Sequence, residues 1–256
     1  MGKIISIVNQ KGGVGKTTTA VNLCAGLGMA GKKILLVDAD PQGNSTSGYG
    51  VNKREIVRSS YDLLIGNAKA AEAIKPTGFK NVDLIPCNME LAGAEIELAD
   101  MENREAQLKN SLAMSRDTYD YIFIDCPPSL GLITLNSLCA SDTVLVPIQC
   151  EYYAIEGLSQ LMATIRQVKR LHNPLLELEG VLLTMYDGRL NLTQQVVGEV
   201  KKFFSKKLYK TVIPRAVRLC EAPSFGKPIQ YYDAKSKGSE AYNDLAKEFI
   251  KNNKGG

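Results

Sequence analysis

Short runs of apolar, often β-branched residues alternate along this chain with segments whose apolar residues recur every three to four positions. The runs predict strands, and the longer period predicts amphipathic helices between them. The predicted strands are residues 3–8, 33–37, 82–85, 121–124, 143–147 and 180–184, with a short last one at 210–213. Because the runs are nearly continuously apolar, the pattern predicts an α/β fold, a doubly wound and mostly parallel sheet with helices on both faces.

Length and composition fit a single domain spanning residues 1–256, since 45% of the residues are hydrophobic and suffice for a full core. The 31 lysines and arginines against 27 acids give a net charge of +4, so charge alone does not predict nucleic-acid binding. Six cysteines without C-x-x-C spacing predict buried free thiols and a cytosolic protein. No signal peptide and no run of about eighteen apolar residues is present.

A glycine-rich segment lies between the first predicted strand and a helical pattern. Its residues are Gln10, Lys11, Gly12, Gly13, Val14, Gly15, Lys16, Thr17 and Thr18. Glycines let backbone amides surround an anion, and the N-terminus of the next helix favours the same charge. The segment therefore predicts a phosphate-binding loop. Lys16 would contact the β- and γ-phosphates, the Thr17 hydroxyl would hold Mg²⁺, and Thr18 is a candidate for the α-phosphate.

This loop departs from the general P-loop pattern, which has glycine where Gln10 stands. A second lysine, Lys11, follows Gln10. One loop needs only one lysine, so the extra cation predicts that Lys11 serves a phosphate outside its own loop, such as one bound by another subunit.

The segment from Lys11 to Thr18 is similar to the deviant Walker A box of the ParA/MinD class of P-loop ATPases. The resemblance implies a P-loop NTPase fold, ATP and Mg²⁺ as cofactors, and an ATPase that is slow without a partner. In that class the first lysine reaches across a nucleotide-sandwich dimer. The resemblance therefore implies that both Lys11 and Lys16 act on bound ATP.

Two carboxylates, Asp38 and Asp40, follow the second predicted strand. Side chains alternate along a strand, so the pair points the same way near its carboxyl end, where such folds place ligands. Paired carboxylates there can orient a water or an Mg²⁺-bound ligand, although a strand exit and a turn would give the same pattern. The segment resembles the one after strand two of chromosome-partitioning ParA proteins. That resemblance implies that Asp40 aligns the attacking water and that Asp38 supports it.

Another carboxylate, Asp125, ends the apolar strand predicted at residues 121–124. This is the Walker B arrangement, which binds Mg²⁺ through water. The residues that follow, from Cys126 to Gly131, match the D-x-P-P box of the same class, which senses the γ-phosphate. Hydrolysis at such a site needs no protein nucleophile, because positioning and charge stabilisation suffice.

Two segments after late strands resemble ParA segments that contact adenine and carry arginines for DNA. They begin at Thr184 and at Ile213. The resemblance implies that Pro214 and Arg215 lie beside the base. The family usually has asparagine where Ala216 stands, so a polar contact there is not expected.

Arg189 and Arg218 match DNA-binding positions of the short chromosomal members. The planar guanidinium donates two hydrogen bonds to phosphate. Without the resemblance, exposed solubilising arginines are the simpler interpretation.

Five lysines lie between residues 201 and 210, and Lys202 and Lys206 are spaced to share a helix face. The cluster fits either a DNA backbone or a solvated helix end.

One further segment, residues 151–157, resembles a ParA segment near the dimer face. It contains Glu151, Tyr152 and Tyr153. The residues alone predict only a loop and a helix start.

The resemblance covers nearly the whole chain and is closest to Soj-type chromosomal ParA proteins. It implies an ATP-dependent homodimer that binds DNA without sequence preference, and hydrolysis stimulated by a ParB-like partner. The location that follows is cytoplasmic and nucleoid-associated. Because Met1 immediately precedes the first strand, we expect no N-terminal helix-turn-helix domain.

A MinD-like positioning ATPase is the main alternative, and it would need a basic amphipathic membrane anchor. The only candidate residues with helical spacing near the C-terminus more simply cover the sheet, so no anchor is expected; they are Tyr242, Leu245, Ala246, Phe249 and Ile250. An iron-protein reductase would pair cysteines such as Cys126 and Cys139 across a dimer. A metabolic ATP-dependent ligase would need a small-molecule pocket, for which no motif is present.

Overall fold

A computed structural model describes residues 1–151 and 154–254 of the chain. The strands are β1 (Lys3–Ile7), β2 (Ile34–Asp38), β3 (Lys75–Pro76), β4 (Val82–Ile85), β5 (Tyr121–Asp125), β6 (Thr143–Gln149) and β7 (Glu177–Thr184). They form one seven-stranded sheet in the order β3-β4-β2-β5-β1-β6-β7. Every neighbouring pair is parallel except β3 with β4. The α/β, mostly parallel fold predicted from the sequence is confirmed.

Helices occupy most of the connections between strands. They are α1 (Lys16–Met29), α2 (Asn44–Gly48), α3 (Ser60–Leu64), α4 (Ala70–Ala73), α5 (Ala94–Ala99), α6 (Gln107–Leu112), α7 (Leu132–Ala140), α8 (Ala154–Leu171), α9 (Asn191–Phe204), α10 (Val217–Glu221), α11 (Ile229–Tyr232) and α12 (Lys237–Asn252). Short 3₁₀ turns lie at Lys53–Glu55, Met89–Gly93, Ala113–Asp117 and Ala222–Phe225.

Successive strand residues pack into opposite layers, as the alternation of side chains in a strand requires. In β1, Ile4 belongs to the apolar layer formed with α5 to α9, whereas Ile5 belongs to the layer formed with α1 and α12. Both faces of the sheet are therefore covered, which explains why its strands are apolar at nearly every position.

The last long helix packs against the sheet layer that contains α1. Its apolar residues Tyr242, Leu245 and Phe249 are buried with Leu23 and Leu27 of α1. The prediction that this helix covers the sheet is confirmed.

The strand predicted at residues 210–213 is wrong. The chain runs beside β7 there, with isolated bridges on either side of the segment. The amides of Lys210 and Thr211 donate to the carboxylate of Glu248, at 2.8 and 2.9 Å. Because that carboxylate takes the amides, they are not available for a regular ladder. The edge strand β3, only two residues long, was too short for a periodic pattern to predict.

The predicted shared helix face of Lys202 and Lys206 is also wrong. Helix α9 ends at Phe204, so Lys206 lies in the turn that follows it.

Candidate functional site: a nucleotide-binding edge of the sheet

Three neighbouring strands, β2, β5 and β1, end at the same edge of the sheet. Asp125, the last residue of the central strand β5, is in register with Ile7 of β1 and with Asp38 of β2. The glycine-rich loop follows β1, and Asp40 follows β2. Parallel pairing therefore brings all the sequence-predicted phosphate and metal residues to one edge, where such folds bind ligands.

The glycine-rich loop depends on two left-handed residues, Gly13 (φ 75°) and Gly15 (φ 86°), a conformation that a Cβ disfavours. At the end of β7, the Thr184 hydroxyl lies 2.8 Å from the carbonyl oxygen of Val14 and 3.0 Å from that of Ile148. These contacts attach the loop to the last two strands of the sheet, which helps to preorganise its amides before a phosphate arrives.

Lys16 is the first residue of α1, and it is buried. Its Nζ donates to the backbone carbonyl of Lys11 at 3.1 Å, so the ammonium spans the loop. Burial lowers the pKa of Lys16, and the negative charge of Asp125 opposes that shift. A cation at a helix N-terminus, inside a glycine loop, is positioned for phosphate oxygens.

Asp125 fits the predicted Mg²⁺ site. Burial raises its pKa and the charge of Asp38 adds to the rise, while the hydroxyls of Ser45 and Thr17 oppose it. Ser45 Oγ donates to Oδ2 at 2.8 Å, whereas Oδ1 is buried and accepts no hydrogen bond from the described residues. A buried carboxylate oxygen without a donor, close to the Thr17 hydroxyl, suits a water-coordinated Mg²⁺ whose charge would favour the ionised carboxylate.

Asp38 anchors the turn after β2. Its Oδ2 accepts hydrogen bonds from the amide and the hydroxyl of Thr46, both at 2.7 Å, and Oδ1 accepts one from the Asp40 amide at 3.3 Å. Thr46 Oγ1 in turn accepts the amide of Cys87 at 2.9 Å. Burial raises the pKa of Asp38. These contacts give physical content to the supporting role predicted for this residue.

Asp40 lies in a tight turn at the edge of the site and is 8% exposed. Its Oδ1 accepts the Gln42 amide at 2.9 Å, and its carbonyl oxygen accepts the amide of Gly43, which is left-handed with φ 59°. Lys53 Nζ donates to the carbonyl oxygen of Gln42 at 2.5 Å and so clamps the turn from outside. The position of the Asp40 carboxylate is thus fixed by several contacts.

Lys11 projects away from its own loop. Its side chain is 46% exposed and forms an ion pair with Glu151, which is 44% exposed. Asn9 Oδ1 accepts the Lys11 amide at 2.9 Å. The structure therefore places Glu151 beside the loop. Tyr152 and Tyr153, which also belong to the predicted dimer-face segment, lie outside the described residues.

A cavity of about 270 Å³ opens beside the loop, and both adenine candidates, Pro214 and Arg215, line it. The same cavity is lined by Gly15 and Thr18 of the loop, so a base placed there would be connected to phosphates on the loop. Met185, also in the wall, has a left-handed φ of 49°, which is strained for a residue with a side chain.

The two arginines predicted to bind DNA are exposed but paired with acids of their own chain. Arg189 forms a bidentate pair with Asp187, at 2.9 and 2.6 Å, which lowers the pKa of that carboxyl to about 2. Arg218 pairs with Glu221 at 2.8 Å and lies 3.5 Å from Asp233. A phosphate would have to compete with these carboxylates.

Four supporting residues were missed from the sequence. Ser45 and Thr46 follow the Asp40 turn directly, and hydroxyls at a helix start beside carboxylates were the available signal. Thr184 was visible as a polar residue closing an apolar strand. The pairing of Glu151 with Lys11 had no local signal, because 140 residues separate the two.

Comparison with known proteins places the chain in a family. A family profile described as an AAA domain matches residues 2–178. Sporulation initiation inhibitor protein Soj of Bacillus subtilis (strain 168) is 59% identical, over 98% of this chain and 100% of its own length. Chromosome partitioning protein ParA of Myxococcus xanthus (strain DK1622) is 53% identical, over 98% and 89%. The chain belongs to the ParA/Soj family of P-loop ATPases, as the resemblance predicted.

Solved structures confirm the fold class. Cobyrinic acid a,c-diamide synthase from Mycobacterium smegmatis is 36% identical with a TM-score of 0.87, covering 100% of this chain and 96% of its own, and holds ADP and magnesium. Cell-division ATPase MinD from Pyrococcus furiosus is 31% identical with a TM-score of 0.80, covering 98% and 99%. A further structure of the synthase holds an ATP analogue and magnesium, the cofactors predicted from the loop.

Proposed function

We propose that this chain is an ATP-hydrolysing partitioning protein of the ParA/Soj type, acting on chromosomes or plasmids. The observation that carries the proposal is the convergence of Lys16, Asp40 and Asp125 on one phosphate loop that also exposes a second lysine, Lys11. The names of the Soj and ParA relatives support the same function.

ATP and Mg²⁺ bind along the loop. Loop amides and Lys16 contact the phosphates, Thr17 and the water-mediated Asp125 hold Mg²⁺, and the base enters the cavity lined by Pro214 and Arg215. This assignment is supported by the unpartnered Asp125 oxygen and by the continuity of the cavity with the loop.

Hydrolysis depends on positioning rather than on a covalent intermediate. Asp40, fixed in its turn, orients the attacking water, and Lys16 with Mg²⁺ stabilises charge on the transferred phosphoryl group. Turnover is slow until a ParB-like partner completes the arrangement.

Dimerisation brings the two nucleotide sites face to face, and Lys11 of each subunit contacts the phosphates bound by the other. Its exposure at the rim of the loop supports this reach, since a buried lysine would serve only its own site. The ATP-bound dimer then binds DNA without sequence preference through Arg189 and Arg218. Each arginine exchanges its carboxylate partner for a phosphate, and hydrolysis releases the protein from the nucleoid.

The Lys11→Ala variant tests the proposal. We expect the wild-type chain to dimerise with ATP and Mg²⁺ but not with ADP, as measured by light scattering. The variant should bind fluorescent ATP yet remain monomeric, whereas Lys16→Ala should lose nucleotide binding itself. Full ATP-dependent dimerisation of Lys11→Ala would remove the bridging role.

A MinD-like function is the second candidate, favoured by the MinD structural match. No helix in residues 1–151 or 154–254 is long and apolar enough to cross a membrane. The apolar face of α12 packs on the sheet and is not available as an anchor. ATP-dependent co-sedimentation with anionic vesicles, without DNA binding, would favour this candidate.

The name of the Mycobacterium smegmatis match raises the ligase alternative, which requires an acyl substrate activated by ATP. Amide formation from cobyrinic acid would support it. The higher identity to Soj, 59% against 36%, favours partitioning. The iron-protein alternative is disfavoured because Cys126 and Cys139 are both buried in their own subunit.

A further inference from the structure

Positive charge is concentrated in one segment of this chain. Residues 188–210 contain one arginine, five lysines and a single acid, Glu199, so their net charge is +5, against +4 for the entire protein. The rest of the chain is therefore slightly acidic. Such segregation on a mildly basic protein indicates a local site for a polyanion rather than a general need for solubility.

The structure exposes these lysines on the C-terminal part of α9 and on the turn after it. We call them the lysine surface: Lys201, Lys202, Lys206, Lys207 and Lys210. Lys202 pairs with Glu199 of the same helix. Within the part of the chain that the structure describes, the other four form no ion pair. The nearby Glu248 is already bonded to the amides of Lys210 and Thr211.

This surface differs from the two predicted DNA arginines. Arg189 and Arg218 are both neutralised by carboxylates of their own chain, and binding a phosphate costs them those partners. The four unpaired lysines have no such competitor among the described residues. They are the more available cations for a first, long-range contact.

The opposite face of α9 determines which polyanion fits. Val196, Val197 and Val200 are packed in the core, so this helix has no free apolar face to insert into a bilayer. The exposed face is about 20 Å long, at 1.5 Å per residue. A duplex presents one phosphate per roughly 1.7 Å of its axis, so several lysines can each meet a phosphate along that length.

We propose that the lysine surface is a second DNA-backbone contact, on α9 and its following turn, that acts together with Arg189 and Arg218. The proposal rests on the DNA-binding function proposed above and extends it to five further residues. The contact is sequence-independent, because lysines on phosphates read charge and not base edges.

A salt series on matched triple variants tests the proposal. We expect Lys201→Ala/Lys206→Ala/Lys207→Ala to bind a random-sequence duplex more weakly than wild type in the ATP-bound state, by fluorescence anisotropy. Removing one lysine that neutralises a phosphate should flatten the slope of log affinity against log salt by about 0.9, and weaken binding by up to roughly eightfold near 0.1 M salt. Restoring the charge with arginine at all three positions should restore binding.

The control carries the same reduction of charge at the other end of the chain, as Lys247→Ala/Lys251→Ala/Lys254→Ala. It should keep the wild-type slope, and both variants should keep wild-type ATP binding. An α9 variant with wild-type affinity and slope would overturn the lysine surface while leaving DNA binding intact. Failure of the wild-type protein to bind DNA in any nucleotide state would instead remove the proposed function. Loss of anionic-vesicle binding alone in the α9 variant would assign the surface to a membrane and contradict the proposal.

Discussion

Lys11 of the phosphate loop forms an ion pair with Glu151 of its own chain. Both side chains are partly exposed, and pairs of this kind contribute about 0–1 kcal/mol. In this conformation the lysine is directed to its own subunit. Contact with a phosphate in another subunit requires it to leave the glutamate, so the ion pair competes with dimerisation.

Glu151→Gln should therefore strengthen the ATP-dependent dimer. Removing a competing interaction of up to about 1 kcal/mol lowers the dimer dissociation constant by at most roughly fivefold. Sedimentation equilibrium with ATP and Mg²⁺ measures this change, and Glu156→Gln, an exposed acid in α8, is the matched control. A weaker dimer in Glu151→Gln would show instead that the glutamate contributes to the interface.

Asp40→Ala should separate nucleotide binding from hydrolysis. The variant keeps the loop, Lys16 and Asp125, so ATP binding and dimerisation should persist. Without the group that orients the water, turnover should fall by roughly a hundredfold. Asp40→Asn is the informative comparison, because its amide oxygen can still accept the Gln42 hydrogen bond but carries no charge. Phosphate release at the wild-type rate in the alanine variant would remove Asp40 from the mechanism.

Lys53→Met tests whether the turn that carries Asp40 needs its clamp. Loss of the bond from Lys53 to the Gln42 carbonyl should lower kcat several-fold with little change in ATP affinity, since a small displacement of a positioned group is costly. Lys53→Arg should retain most of the activity. Arg54→Met changes an exposed neighbour and should match wild type. Equal kcat in all three variants would show that the turn is held without Lys53.

The buried pair Asp38 and Asp125 predicts an unusual pH dependence in the absence of ligand. Burial raises both pKa values in the folded state, so the native protein binds more protons than the unfolded chain above the ordinary aspartate pKa of about 3.9. The contribution of this pair to stability is therefore present at low pH and is lost as pH rises through the raised values.

Asp125→Asn removes one of these charges. In thermal melts without nucleotide the variant should gain stability over wild type near pH 8, and the difference should shrink near pH 5; each kcal/mol corresponds to about 2–4 °C for a chain of this size. Addition of Mg²⁺ and ATP should stabilise the wild type more than the variant. A constant difference across this pH range would contradict the raised pKa values.

The sequence was sufficient for the fold because its strands are buried on both faces and carry a strong apolar signal. The positions of the phosphate loop, Asp38, Asp40 and Asp125 followed from the same reasoning, since parallel strands bring their carboxyl ends to one edge. Strand 210–213 failed because its amides found a side chain, Glu248, that lies in a later helix. Local patterns do not contain such long-range competition.

The same limit applies to the charged residues. Sequence indicated that Lys11 was unusual but not that Glu151 neutralises it, and it indicated Arg189 and Arg218 but not the acids beside them. Ion pairs over large sequence separations depend on the tertiary fold. Which cations remain free for a partner was therefore visible only in the structure.

Binding of the wild-type protein to a random-sequence duplex, measured by anisotropy with ATP, ADP or no nucleotide across a salt series, tests the central claim most directly. We predict tight binding only with ATP. If the four arginines of a dimer each contact a phosphate, the slope of log affinity against log salt should be about −3.6, and steeper if the lysine surface also binds. Absence of binding in every nucleotide state would contradict a partitioning function.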